Sequence, residues 1–178
     1  MSRPTVTTNL SSLEEDGLIT KDGQIDKEYV GRKASAYTIV PDFRVGIGVE
    51  ILKKEVKMII VDLYGKKIER SVFEITYQDE DSYFEQVTSQ ILSFKDSVGI
   101  KDEQILGVGF AMQGLVSPDS QTVLYGKILE CTGLSINAFT RYLPYPCSFI
   151  HDADSAAVSE LWVSPGLKMP AIFLSASI

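Results

Sequence analysis

Between Arg44 and Tyr77 the chain carries three β-branched runs in close succession, and this limits the fold more than any other feature. They are Arg44 to Lys53, Glu55 to Tyr64 and Lys67 to Tyr77. β-branched side chains are stiff at χ1 and suit a pleated surface. Parallel neighbours need a crossover of a dozen or more residues, so links this short predict an antiparallel meander. Downstream the period changes. Asp79 to Ser82 make a polar helix start, and Tyr83, Val87, Ile91 and Phe94 follow at helical spacing, which marks Tyr83, Val87 and Ile91 as core. Gln104 to Met112 reads as a buried strand, and Pro118-Asp119-Ser120 turns the chain into another, Thr122 to Tyr125. Ser135 to Tyr142 reads as a short helix, Cys147 to Ile150 as a strand, Ala153 to Trp162 as a helix and Ala171 to Ser175 as a last strand. A meander followed by alternating strands and helices predicts an α/β architecture.

The length of 178 residues suits one medium domain, or a small one joined to a larger one. No apolar run approaches the roughly 18 residues of a membrane span, and Met1 to Leu10 has no signal-peptide core. Cys131 and Cys147 form neither a CxxC nor a ligand cluster, so they read as reduced thiols of a cytoplasmic protein, with no metal site. The formal net charge of −7 opposes general affinity for nucleic acid, which needs a basic footprint. Any DNA contact must come from a local element.

The first 43 residues offer one. Ser2 can cap a helix, and Pro4 is tolerated in its first turn. Val6, Leu10 and Leu13 form a narrow apolar stripe, and Gly17 ends the helix. Thr5, Thr8, Ser11 and Ser12, flanked by Thr7 and Asn9, form an uncharged, hydroxyl-rich surface able to approach base edges and phosphates. Glu14, Glu15 and Asp16 crowd the far end, against the helix dipole. Two strand-like runs follow, Leu18 to Lys21 and Ala34 to Val40, with Asp22-Gly23 as the turn signal and Gly31-Arg32-Lys33 as a basic tip. The plainer reading is a short amphipathic helix that packs on its neighbour.

Ser2-Arg3-Pro4-Thr5-Val6-Thr7, Leu13-Glu14-Glu15-Asp16-Gly17-Leu18-Ile19 and Gly31-Arg32-Lys33 together resemble the recognition helix and wing of repressors in the ROK family. The resemblance implies the C-terminal part of a winged helix-turn-helix over residues 1–43, its first two helices preceding Met1. Its candidate DNA contacts are Arg3, Thr5, Thr7, Thr8, Asn9 and Ser11 from the helix, and Arg32 and Lys33 from the wing.

Residues 44–178 carry the resemblance further. Ile47-Gly48-Val49-Glu50, Val61-Asp62-Leu63-Tyr64-Gly65, Gly107 to Val116 and His151-Asp152-Ala153-Asp154-Ser155-Ala156-Ala157 are similar, in order and spacing, to the strands and loops of the family. This implies the N-terminal lobe of an actin-like, ribonuclease-H-like sugar-kinase fold. The family's second phosphate loop, second lobe and zinc-binding cysteines would lie beyond Ile178.

A kinase cradles ATP phosphates with bare glycine backbone. The family's kinase form places Gly-Gly-Thr where this chain has Leu52, Lys53 and Lys54, so ATP-dependent transfer is expected to be lost, and no cofactor is expected. Asp152 matches the family's general base, which a repressor can keep solely to accept sugar hydroxyls. Its local alternative is helix capping, by Asp152 or Asp154. His151 replaces the family's asparagine and could donate to a sugar or serve as a structural hydrogen-bonder. Gln113-Gly114 replaces Pro-Gly, either to approach the sugar or as an ordinary turn, and Ile128 stands where many members are polar. The candidate sugar residues are thus Gln113, Gly114, His151 and Asp152. The runs around Asp79 and Asp119 read as solvated loops and Trp162 as core.

The expected protein is a sugar-responsive repressor that binds a double-stranded operator and a small sugar or sugar phosphate, as a homodimer or higher homo-oligomer, away from membranes. The alternatives are an ATP-dependent ROK sugar kinase with an N-terminal extension, in which Asp152 would be catalytic, and a fragment with a structural role.

Overall fold

The computed structural model describes residues 3–25 and 34–163. Ser2, Gly31, Arg32, Lys33 and the strand expected at Ala171 to Ser175 lie outside them, as do the side chains of Arg3 and Trp162. The chain forms two compact units, Met1–Phe43 and Arg44–Ile178.

In the first unit, α1 (Arg3–Glu15) is followed by an antiparallel pair, β1 (Ile19–Ile25) and β2 (Ala34–Ile39). Gly17 stops α1 with φ +75°, the left-handed geometry that a Cβ disfavours. The Leu18 N–H reaches back to the Leu13 carbonyl (2.9 Å) and the Gly17 N–H to that of Glu14 (3.1 Å), so the last carbonyls of the helix are satisfied. Val6 and Leu13 of the expected stripe remain 42% and 37% exposed. Asp22-Gly23 is not the hairpin turn that its sequence suggests. It lies within β1, where Lys21 pairs with Tyr37 and Gln24 with Ser35, leaving two residues opposite one. This is a β-bulge, and Gly23, at φ +90°, takes the strained position.

The second unit is built on a five-stranded sheet in the order β5-β4-β3-β6-β9. Its strands are β3 (Val45–Ile51), β4 (Val56–Val61), β5 (Lys67–Phe73), β6 (Ile105–Met112) and β9 (Cys147–His151). β3, β4 and β5 form the expected meander; β6 lies parallel to β3, and β9 parallel to β6. The third strand ends at Phe73, short of Tyr77, and the Tyr77 N–H instead donates to the Lys53 carbonyl (3.0 Å).

Alternation along β3 explains the layering. Val45, Ile47, Val49 and Ile51 are buried, while Gly46, Gly48 and Glu50 between them face the other way and are half-buried. The buried side packs under α2 (Asp81–Val98), which contributes Tyr83, Val87, Ile91 and Phe94 at the predicted spacing, and Phe84, which the spacing did not mark. Fully burying each such side chain is worth about 1.5–3 kcal/mol. Gly99, at φ +80°, ends α2. The short helix expected over Ser135 to Tyr142 is one turn, α3 (Asn137–Thr140). Its role is to insert Phe139, which stacks on Phe110 at 4.2 Å and meets Phe84 and Phe149 edge to face. α4 (Asp152–Val163) starts one residue earlier than its sequence suggests and lies on the opposite face. There its Ser155 shares a groove with Gly48, Gly109, Ala111 and Ile150. The connection from β6 to β9 holds a small ribbon, β7 (Leu115–Val116) with β8 (Val123–Tyr125), of which the sequence marked only the second strand.

Among the described residues no helix is long and apolar enough to cross a membrane. Both cysteines are free thiols, and burial pushes Cys147 up to about 11 and Cys131 in the same direction.

Candidate functional site

Hydrogen-bond register brings three strand ends level: Ile51 of β3 pairs with Met112 of β6, which pairs with His151 of β9. In open α/β sheets, ligands bind outside the carboxyl ends of such strands. Here those ends border an open cleft of about 640 Å³. All four sequence-selected residues, Gln113, Gly114, His151 and Asp152, line it, as does Ile128. Glu50, Leu115, Tyr125 and Lys127 complete much of the wall, and none was marked as a sugar contact by sequence. Tyr125 reaches the cleft through the β7–β8 ribbon, for which the two-residue β7 leaves no sequence signal.

Asp152 is the first helical residue after β9, and its Oδ1 accepts the Ala153 N–H at 2.8 Å. The same oxygen lies 3.2 Å from His151 Nε2, while His151 Nδ1 is 3.9 Å from Asp154 Oδ2. Oδ1 is therefore occupied locally, and the expected capping role is met only by a bond to the adjacent residue. Oδ2 has no partner among the described residues. The Asp152 side chain is 35% exposed, accessible to a ligand yet partly shielded from water.

Gly114 is required for a reason other than closeness to a ligand. A methyl group there would strike the Tyr125 carbonyl oxygen and touch Gly126 Cα, so the glycine lets the β7–β8 ribbon fold against the end of β6. Its N–H closes a tight turn onto the Met112 carbonyl (2.9 Å), with Gln113 at the apex.

Glu50 faces the cleft but is bound across the hairpin. It stands opposite Lys57 in the β3–β4 register, with Nζ to Oε2 at 3.1 Å, and Lys57 also lies 3.5 Å from Glu55. The hydrogen bond and charge of Glu50 hold the Lys57 ammonium above its ordinary range. Between these strands Leu52 donates its N–H to the Glu55 carbonyl (3.0 Å), and the turn itself is Lys53-Lys54, both exposed. Lys127 is exposed on the cleft rim and forms no ion pair among the described residues.

In the first unit, Thr5, Thr7, Thr8, Asn9 and Ser11 are all exposed on α1. Thr8 turns its hydroxyl back onto the Pro4 carbonyl at 3.0 Å. No three His, Cys, Asp or Glu side chains gather as metal ligands among the described residues.

Residues 46–174 match the family model described as ROK family. No curated protein matches the sequence. Among solved structures, a ROK family transcriptional regulator, a homologue of the E. coli MLC protein, superposes with a TM-score of 0.66 at 15% identity, covering 90% of this chain and 41% of its own. A ROK family glucokinase from Streptomyces griseus, in complex with glucose and AMPPNP, gives 0.60 at 18% identity, over 70% of this chain and 38% of its own. A ROK family protein from Streptococcus pneumoniae TIGR4, in complex with sucrose, gives 0.53 at 18% identity, over 69% and 39%. The chain spans about two-fifths of the length of these structures. At such identities the likeness concerns the fold, and the mixed α/β sheet is that of the sugar-kinase-like neighbours. With the family model matching most of its length, the chain belongs to the ROK family.

Proposed function

We propose that this chain is part of a cytoplasmic, sugar-responsive transcription regulator. In this reading Met1–Phe43 is the end of a winged helix-turn-helix that contacts duplex DNA, and Arg44–Ile178 binds a carbohydrate at the strand ends that carry Asp152. Gln113 and His151 would supply further polar contacts, and Asp152 Oδ2 would accept ligand hydroxyls. A homodimer would set two recognition helices in successive major grooves. A ligand that binds the two conformational states unequally would then shift DNA affinity.

The observation that carries this reading is the β3–β4 turn. A phosphate cradle needs backbone N–H groups pointed at the anion, free of side chains. Here the Leu52 N–H is spent on Glu55, and Lys53 and Lys54 project side chains from the turn. Coverage adds support. The likeness to the transcriptional regulator extends over 90% of the chain, more than Arg44–Ile178 contains, whereas that to the glucokinase takes in 70%. The net charge of −7 is compatible with DNA contact only if contact is confined to α1 and the wing.

A mobility-shift titration of the full chain on operator-length DNA, with and without a sugar panel, tests the proposal. The expected result is binding that one class of sugar weakens. Binding to DNA that no sugar alters would defeat it.

The second reading, a sugar kinase, is favoured by the half-buried Asp152 carboxylate at the cleft, where a hydroxyl could be deprotonated. Sustained ADP release with any hexose or amino sugar would establish it over the first.

A further inference from the structure

We infer that the cleft takes a glycoside in preference to a free monosaccharide, its ring hydroxyls at Asp152, His151 and Gln113 and its substituent against Leu115, Tyr125 and Ile128. This rests on the carbohydrate reading above and adds the class of ligand. Leu115 and Tyr125 are cross-strand partners in the β7–β8 ribbon. They are 58% and 54% exposed, Ile128 is 60% exposed, and all three line the cleft that holds Asp152. Single exposed apolar side chains are ordinary. Here three converge on one concavity whose other end is polar, and small-ligand sites combine surfaces in this way.

The apolar wall is fixed in place. Phe149 of β9 donates its N–H to the Ser120 carbonyl (2.8 Å), and Thr122 donates to Ser117 Oγ (3.0 Å), so the ribbon's turn is tied to the sheet. Ile128 is held outward because its neighbours anchor the loop. Leu129 and Cys131 are buried, and the Cys131 N–H closes on the Gly126 carbonyl at 2.9 Å.

A single ring held at the carboxylate end leaves this wall untouched by ligand. A second sugar ring, through its C–H face, or an alkyl or aryl aglycone would cover it and gain the free energy of apolar burial. Tyr125 suits this role, with a flat apolar face and a polar tip. Both kinds of substituent present the same chemistry, and the experiment separates them.

Calorimetric titration of the full chain compares monosaccharides with the matching disaccharides and the matching phenyl and octyl glycosides. The expected result is about 10-fold or greater tightening for a substituted sugar over its parent. A gain confined to disaccharides identifies a second ring as the occupant, and a gain confined to phenyl or octyl glycosides identifies an aglycone. Tyr125→Ser and Ile128→Ser, both at exposed positions and checked for folding by thermal melts, should bring the substituted sugar down to the parent's affinity. Asp152→Asn should weaken both ligands alike. Equal affinity for parent and substituted sugars, or a gain that survives both wall substitutions, overturns the inference and leaves the carbohydrate reading standing. Failure of every carbohydrate to bind overturns both.

Discussion

His151 Nε2 lies 3.2 Å from Asp152 Oδ1, so two sequence neighbours interact where β9 gives way to α4. Because Oδ1 also holds the Ala153 N–H at 2.8 Å, the two oxygens of Asp152 are inequivalent. Asparagine keeps an acceptor for Ala153 but removes the charge. Asp152→Asn is therefore expected to shift stability by no more than about 0.5 kcal/mol, as for an ordinary surface change. Its carbohydrate affinity should fall roughly 10- to 100-fold, because hydrogen bonds to charged groups are worth about 1.5–3 kcal/mol. Thermal melts and calorimetry on one preparation separate the two effects. A large loss of stability with unchanged affinity would assign Asp152 to the helix start alone.

Gly114 gives a sharper structural test. The Cβ of Gly114→Ala would meet the Tyr125 carbonyl, which is backbone and cannot swing aside. The expected cost is about 1–3 kcal/mol, as for overpacking elsewhere, read as a lower urea midpoint. Carbohydrate affinity should fall with it, because the ribbon carries one wall of the cleft.

Glu130 offers the opposite change. Its φ of +57° is left-handed, a geometry that costs a residue with a Cβ roughly 1–2 kcal/mol. Glycine escapes that cost but loses more chain entropy on folding, about 0.5–1 kcal/mol. Glu130→Gly should therefore be neutral to about 1.5 kcal/mol stabilising, with a matching rise in urea midpoint. Strong destabilisation would mean that the glutamate side chain supports the loop.

A cluster remote from the cleft contributes to the pH dependence of stability. Lys95, at the end of α2, is buried and bridges Asp96 and Asp102, and the Tyr145 hydroxyl donates to Asp102. The hydrogen bonds from Lys95 and then Tyr145 hold the Asp102 carboxyl below its usual range. Burial, then the bond to Asp102, pushes Tyr145 up to about 12. A lowered carboxyl contributes stability above its unfolded value of about 3.9, and loses it as pH falls through the folded one. A raised tyrosine contributes fully below about 10, and loses it as pH climbs toward its folded value. The buried Cys147 thiol, raised to about 11, starts to lose its contribution earlier, above about 8.5, so urea midpoints should be highest between about pH 4 and 8.5 and fall on both sides. Asp102→Asn should lessen the fall on the acid side, where Asp119 is also held low, and Tyr145→Phe that on the alkaline side, where Cys147 is also raised.

The sheet was legible because its signals are periodic. Alternation along β3 and the spacing of Tyr83, Val87 and Ile91 each follow from one face seeking the core. What escaped depends on pairing between distant segments. Asp22-Gly23 has the composition of a hairpin turn, and only the partner register of β2 turns it into a bulge. β7 is two residues long and leaves no periodic trace, so the approach of Tyr125 to Gly114 could not be read from either residue. The residues chosen around Gln113 and His151 do converge on one cleft, because parallel pairing aligns the strand ends. Tyr125 and Lys127 join them through a long-range fold of the chain that their own neighbours do not encode.

β9 ends at His151 and α4 begins at Asp152, so no residue of slack separates strand from helix. A pull on that carboxylate has no loop in which to dissipate. What rotation of the side chain itself does not absorb passes directly into the first turn of α4, as force on the short arm of a lever reaches its beam.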